Sequence, residues 1–146
     1  MEEALGRQLS ITGRVVRERF DAALNEHGAS LTTWAVLRGA EDEDGLSQRE
    51  LAARLSIESP TLVRHLDRLE DEGLVVRRRD DHDRRVVRIG LTAAGHRRFA
   101  ELRDIATSLD AQLRALLDHD EIEILQRALL RIRDHWHPDA TLTRSM

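Results

Sequence analysis

Cysteine is absent from the 146 residues, which removes disulfides, thiolate nucleophiles, cysteine-ligated zinc and thiol-based redox sensing together. No run of eighteen apolar residues occurs, and the opening segment MEEALGRQLS carries acids where a secretory leader would be basic and then apolar. Neither secretion nor membrane insertion is therefore expected, and the expected location is the cytoplasm. Lysine is missing too, so all 23 basic residues are arginine, whose planar fork matches phosphates and base edges better than a point charge does. Nucleophile elbow, phosphate loop and HExxH are all lacking, so no enzyme activity, catalytic residue or cofactor is expected. The sequence holds seven histidines, of which His135 and His137 flank Trp136 beside Asp134 and Asp139. One short cluster falls short of a closed ligand set, and no metal site is assigned.

What is present suits one compact domain: 40% of the residues are hydrophobic and 34% charged, enough for a core at this length. The formal net charge is -4, but it is unevenly spread. Between Arg77 and Arg98 eight arginines (77, 78, 79, 84, 85, 88, 97, 98) face three aspartates (80, 81, 83), an excess of five positive charges.

Leu5, Leu9, Val16, Phe20 and Leu24 recur at helical spacing, predicting an amphipathic helix over 4–26 that ends before Gly28. A second helix is expected to begin near Ser30 or Thr32, to carry Trp34, Leu37 and Ala40, and to stop in the acidic turn that ends at Gly45. Ser47 and Glu50 form a capping-box pattern before Leu51, Ala52 and Leu55. After a break at Ser56 and Ile57, Ser59 as N-cap and Pro60 as first helical residue open another helix, to Glu72, with Gly73 as its C-terminal cap. Two short helices joined by a tight turn, over 47–73, make a helix-turn-helix. Leu74 to Arg79 and Arg85 to Leu91 are β-favouring runs separated by DDHDR, so 74–91 reads as a hairpin placed as a wing. From the N-cap Thr92, the residues Ala94, Phe99, Leu102, Ile105, Leu109, Leu113 and Leu116 keep helical periodicity. The box Asp118 to Glu121 starts a last helix with Ile122, Leu125, Leu129 and Ile132, closed by Pro138. The fold class is thus mainly α with a small β-hairpin wing, spanning 1–138, with 139–146 as a tail.

The segment ELAARLSIESPTLVRHLDRLEDEGLVVRRRDDHDRRVVRIGLT resembles the MarR family of bacterial transcriptional regulators, and its SlyA-like branch in particular. Asp83, Arg85, Leu91 and Thr92 fit the family's wing pattern D-x-R-x5-L-T. Residues Ile57 to Leu74 fit I-E-x-P-x-L-V-R-x-L-D-x-L-E-x-x-G-L, with Ser56 where relatives often place glycine. The match is strong over 47–92 and rests on pattern alone in the flanking helices. The resemblance implies a homodimer, assembled through helices 4–26 and 92–134, that binds a pseudo-palindromic operator in double-stranded DNA on the nucleoid. Three long amphipathic segments exceed what a small winged helix can cover, so periodicity also points to burial between chains.

Leu62, Leu66 and Leu69 share one face of the second short helix and are expected inside, which turns Thr61, Arg64, His65 and Arg68 outward as the candidate DNA-groove readers. Arg64 suits a bidentate bond to guanine, and Thr61 a thymine methyl or a phosphate. By resemblance Ser59, Pro60, Thr61 and Arg64 meet the major groove, while Arg85, braced by Asp83 and flanked by Arg84, enters the minor groove. Solvated ion pairs of Arg64 and Arg68 with Asp67, Asp71 and Glu72 are the plainer alternative for the helix, and a charged hairpin tip is the plainer alternative for the wing. Trp34 has two readings, a core ring or, by resemblance, part of a cleft with Arg17 and Arg64 for a small anionic aromatic effector. A winged-helix module for protein contact is the rival function, although DDHDRR offers no apolar anchor for a partner.

Overall fold

The structure, a computed structural model, describes residues 4–41 and 45–136. Its elements are α1 (Leu5–Asn25), α2 (Leu31–Gly39), α3 (Gln48–Leu55), α4 (Ser59–Asp71), β1 (Val75–Arg79), β2 (Val87–Leu91), α5 (Ala93–Arg114) and α6 (His119–Trp136). This is the expected winged helix-turn-helix order, mainly helical with one antiparallel hairpin. Residues 42–44 of the acidic turn, His137, Pro138, Asp139 and the tail lie outside the described residues. By contacts the chain divides into two compact units, Met1–Ala106 and Thr107–Met146.

The first unit holds the core. Leu24 of α1, Val36 and Leu37 of α2, Leu51 of α3, Leu62, Leu66 and Leu69 of α4, Val75 and Ile89 of the hairpin, and Phe99 and Leu102 of α5 are all buried in one cluster. Each fully buried leucine contributes roughly 2 kcal/mol relative to exposure. Three of them on α4 therefore outweigh the few tenths of a kcal/mol by which its aspartates and histidine lower helix propensity. In the second unit α6 buries no residue.

Local signals set the ends of these elements. Ser47 Oγ accepts the Glu50 amide (3.1 Å) while Glu50 Oε2 accepts the Ser47 amide (2.8 Å), the expected capping box. Asp118 and Glu121 repeat it before α6, and Ser30 Oγ caps α2 by accepting the Thr33 amide. Helix α2 ends at Gly39, before the acidic turn, with Ala40 as its C-cap. Gly73 (φ +71°) closes α4 with the Gly73 amide donating to Glu70 O and the Leu74 amide to Leu69 O, the paired bonds of a left-handed cap. At Gly95 a side chain is excluded, because a Cβ there would overlap the Leu74 carbonyl; α5 docks on the hairpin through that gap.

Two expected boundaries are corrected. The N-cap of α4 is Glu58, not Ser59: Glu58 is extended and its carbonyl accepts from both Thr61 and Leu62, so Ser59 and Pro60 already lie inside the first turn. Strand β2 begins at Val87 rather than Arg85, because the Asp83 side chain accepts the Arg85 amide and the Val86 amide donates to Asp83 O. That turn chemistry outcompetes the β-propensity of Arg85–Val86.

The turn between α3 and α4 is strained at one residue. Ser56 is left-handed (φ 52°, ψ 40°), closing α3 with bonds from the Ser56 amide to Ala53 O and the Ile57 amide to Ala52 O. A non-glycine residue there costs about 1–2 kcal/mol, partly offset by glycine's greater unfolded entropy. Ser56→Gly is expected to stabilise the protein by about 0.5–1 kcal/mol, raising the melting temperature by roughly 2 °C. A lower denaturation midpoint for the variant would contradict this account of the turn.

Candidate nucleic-acid interface

Two exposed cationic elements frame the interface, the outer side of α4 and the tip of the β1–β2 hairpin. With its leucines inside, α4 leaves Ser59, Pro60 and Arg64 exposed and Thr61 and His65 half-buried. Arg64 has no hydrogen-bond or ion-pair partner among the described residues, so of the plainer alternative, solvated pairs of Arg64 and Arg68 with Asp67, Asp71 and Glu72, the structure shows the Arg68–Glu72 pair and none for Arg64. Burial first, and then the charges of Arg68 and Arg64, hold the His65 imidazole below its usual range. Beside Arg64 it is thus harder to protonate than an ordinary imidazole.

Arg68 is placed differently from the other outward residues. Its Nη2 donates to Thr33 Oγ1 on α2 (3.0 Å), and its Nε lies 3.6 Å from Glu72. Its guanidinium thus bridges α2 and α4.

At the hairpin tip, Asp83 grips Arg85 at two points, Nε to Oδ1 (3.0 Å) and Nη2 to Oδ2 (2.9 Å), and also accepts its backbone amide. The expected brace is thus present, on a side chain 91% exposed. These contacts, led by the Arg85 side chain, lower the Asp83 carboxyl below its usual range. Arg84 is exposed beside it, and its carbonyl accepts from Arg79 Nη1 (2.8 Å).

Three arginines of the basic stretch are committed to carboxylates instead: Arg77, Arg88 and, through Glu101 (3.0 Å), Arg98. Arg77 Nη2 meets Glu70 (2.6 Å) and Asp67 (2.5 Å), and its backbone amide also donates to Glu70. The Glu70 carboxyl is lowered and the Arg77 guanidinium raised by this contact before any other. The network joins α4 to β1, holding the helix against the wing. Arg88 pairs with Asp80. Strand alternation was the available clue, since Arg77 lies opposite the buried Ile89 in the ladder. A further residue escaped the sequence analysis: Arg49, exposed at the start of α3, lines a cleft of about 560 Å³ with Gln48, Asp83 and Arg85.

The effector-cleft residues are not brought together. Trp34 is packed against the core, edge-on to Phe20 (5.8 Å between ring centroids) and stacked on Phe99 (5.1 Å), while Arg17 and Arg64 are exposed on α1 and α4. None of the three lines the cleft beside Arg85 or the larger one of about 840 Å³ against the hairpin near Arg78, Gly90 and His96. Among the described residues no helix is long and apolar enough to cross a membrane. None of them forms a cluster of three metal-ligating side chains, while His137 and Asp139 are not described.

Comparison with known proteins places this geometry. The model of the MarR family matches residues 29–87. The solved structure of transcriptional regulator PA3341 is 36% identical, aligns over 92% of this chain and 99% of that one, and superposes with a TM-score of 0.80. A Mycobacterium tuberculosis MarR family protein, Rv2887, in complex with p-aminosalicylic acid, is 28% identical over 89% of this chain and 98% of its own, with a TM-score of 0.71. The Staphylococcus aureus MepR–DNA complex shares the fold at 24% identity, over 92% and 99% of the two chains, with a TM-score of 0.78.

Proposed function

Since the chain belongs to the MarR family, we propose that it is a sequence-specific regulator of transcription which binds a pseudo-palindromic operator in double-stranded DNA as a homodimer. The observation that carries this is the pair of exposed arginines on two different elements, Arg64 without an internal partner on α4 and Arg85 aimed by Asp83 at the hairpin tip. In this function Ser59, Pro60, Thr61 and Arg64 meet the major groove, with His65 beside them, and Arg84 and Arg85 enter the flanking minor groove. Arg68, bridged to Thr33 and Glu72, sets the pose of the helix. MepR, of the same fold, has been crystallised on DNA, which supports the docking mode.

The dimer follows from exposed apolar side chains at both ends of the chain, among them Leu5 and Val15 in α1, Leu116 and Leu117 after α5, and Ile124, Leu125 and Leu129 in α6. Residues 1–138 then act as one domain, completed by the partner copy. A small aromatic acid is the effector class we assign, supported by the p-aminosalicylic acid complex of Rv2887; in the dimer Arg17, Trp34 and Arg64 are the candidates to line its cleft. Enzymatic turnover has no place in this function.

Enrichment from a random duplex pool tests it. The selected sequences should contain two inverted half-sites whose centres lie about 34–36 Å apart or a multiple of that. Selected duplexes without inverted symmetry would contradict a two-fold dimer on DNA.

A further inference from the structure

The hairpin tip is fastened to the fold by a chain of polar contacts. At the root, Arg88 Nη1 donates to the Gly45 carbonyl ahead of α3 (3.0 Å), and Arg88 Nε is ion-paired with Asp80. The other Asp80 oxygen accepts the backbone amides of His82 (2.8 Å) and Asp83 (2.9 Å). Asp83 in turn grips Arg85. Side-chain exposure climbs from 12% at Asp80 through 40% at Asp83 to 91% at Arg85.

We propose that Asp80, anchored by Arg88, is a positioning residue that aims Arg85 at the minor groove without touching DNA itself. This rests on the DNA-binding function proposed above. An isolated exposed pair such as Asp83–Arg85 gives little order to a long side chain, and ordering that chain on binding is costly. Asp80 reduces that cost by fixing the backbone that bears Asp83: its carboxylate organises two amides of the loop, while its own amide donates to Val86 O across the loop. The Arg88 guanidinium, followed by the two amides, holds the Asp80 carboxyl far below its usual range, so the acceptor stays charged. Asp80 also offsets a like-charge pair, because Arg88 faces Arg78 directly across the ladder, an arrangement that destabilises a hairpin when uncompensated. Arg88 thereby serves the tip from the far end of the loop.

The test compares Asp80→Ala and Asp80→Asn, alone and combined with Arg85→Ala, by titration of duplexes with A·T-rich or G·C-rich flanks around an enriched operator. Melting curves identify the folded variants, and Asp80→Asn keeps an acceptor for the two amides if the alanine variant unfolds. Asp80→Ala should weaken binding to A·T-flanked sites about fivefold, as expected for residues coupled in one network, with Asp80→Asn in between. Discrimination at the base pair read by Arg64 should be unchanged, and the loss should vanish in the Arg85→Ala background. An equal loss with and without Arg85, or no loss at all, would overturn the proposal. Nitrogen relaxation of Arg85 Nε in the free protein reads the same relay without DNA: its order should fall in Asp80→Ala, and unchanged order would also overturn the proposal. If the wild type bound no duplex while Arg85 still loosened on loss of Asp80, the positioning would stand and the DNA-binding function would fall.

Discussion

Glutamate at both Leu125 and Leu129 is expected to leave a monomer that no longer binds its operator. These two leucines stand one turn apart on α6, 44% and 45% exposed, on a helix that buries nothing within its own chain. Half of each side chain is therefore available to a partner, worth about 1 kcal/mol per leucine, and a two-fold interface loses four of them. Four carboxylates would also have to be desolvated at that interface. Together the losses weaken dimerisation by roughly a thousandfold or more. A single lobe reaches one half-site only, so operator affinity falls with the dimer. Sedimentation equilibrium at micromolar concentration measures the first effect, and circular dichroism checks that the monomer keeps its helices. A variant that stays dimeric, or a wild type that sediments as a folded monomer, would contradict this assignment of the interface.

The second large effect separates Arg64 from Arg85. Arg64→Ala should relax discrimination at one base pair in each half-site, by about 1–3 kcal/mol per lost bidentate contact. With no internal partner for Arg64, this truncation strands no carboxylate in the protein, and the change is read in DNA binding alone. Arg85→Ala should weaken binding to many sequences, most where the flanking minor groove is narrow and A·T-rich, since negative potential is greatest there. Asp83→Ala should resemble a milder Arg85→Ala, because the arginine remains but its two-point grip is gone. An operator library titrated against the three variants distinguishes these patterns. Unchanged binding of every site by Arg85→Ala would remove the wing from the interface.

The elements were legible in the sequence wherever a signal is local. Periodicity located α1, α5 and α6, and the Ser47–Glu50 and Asp118–Glu121 boxes marked helix starts that the structure reproduces. Errors came where two local signals competed. Serine before proline reads as an N-cap, yet the Glu58 carbonyl takes that place. The run RVV reads as strand, yet Asp83 folds Arg85 into the turn. At the candidate site, Asp83 and Arg85 were legible because they are two residues apart, and Arg64 because its leucine neighbours fix the helix face. Arg77 with Glu70 and Asp67, Arg68 with Thr33, and Arg88 with Asp80 and Gly45 were not. Those partners lie up to 43 residues apart in the chain, and residue type alone does not tell an arginine facing outward from one facing a carboxylate on the next element. The basic stretch is consequently less available than its eight arginines suggest, with Arg77 and Arg88 binding the wing to the rest of the fold.

The most direct test of DNA recognition by α4 and the wing is a fluorescence titration of the wild-type dimer with a labelled enriched operator and with a scrambled duplex, repeated from about 50 to 200 mM salt. The account predicts an operator affinity at least about a thousandfold above that for the scrambled duplex. It also predicts a steep fall with salt, with a log–log slope of about -0.9 for each phosphate neutralised. Equal affinity for the two duplexes, or binding indifferent to salt, would contradict it.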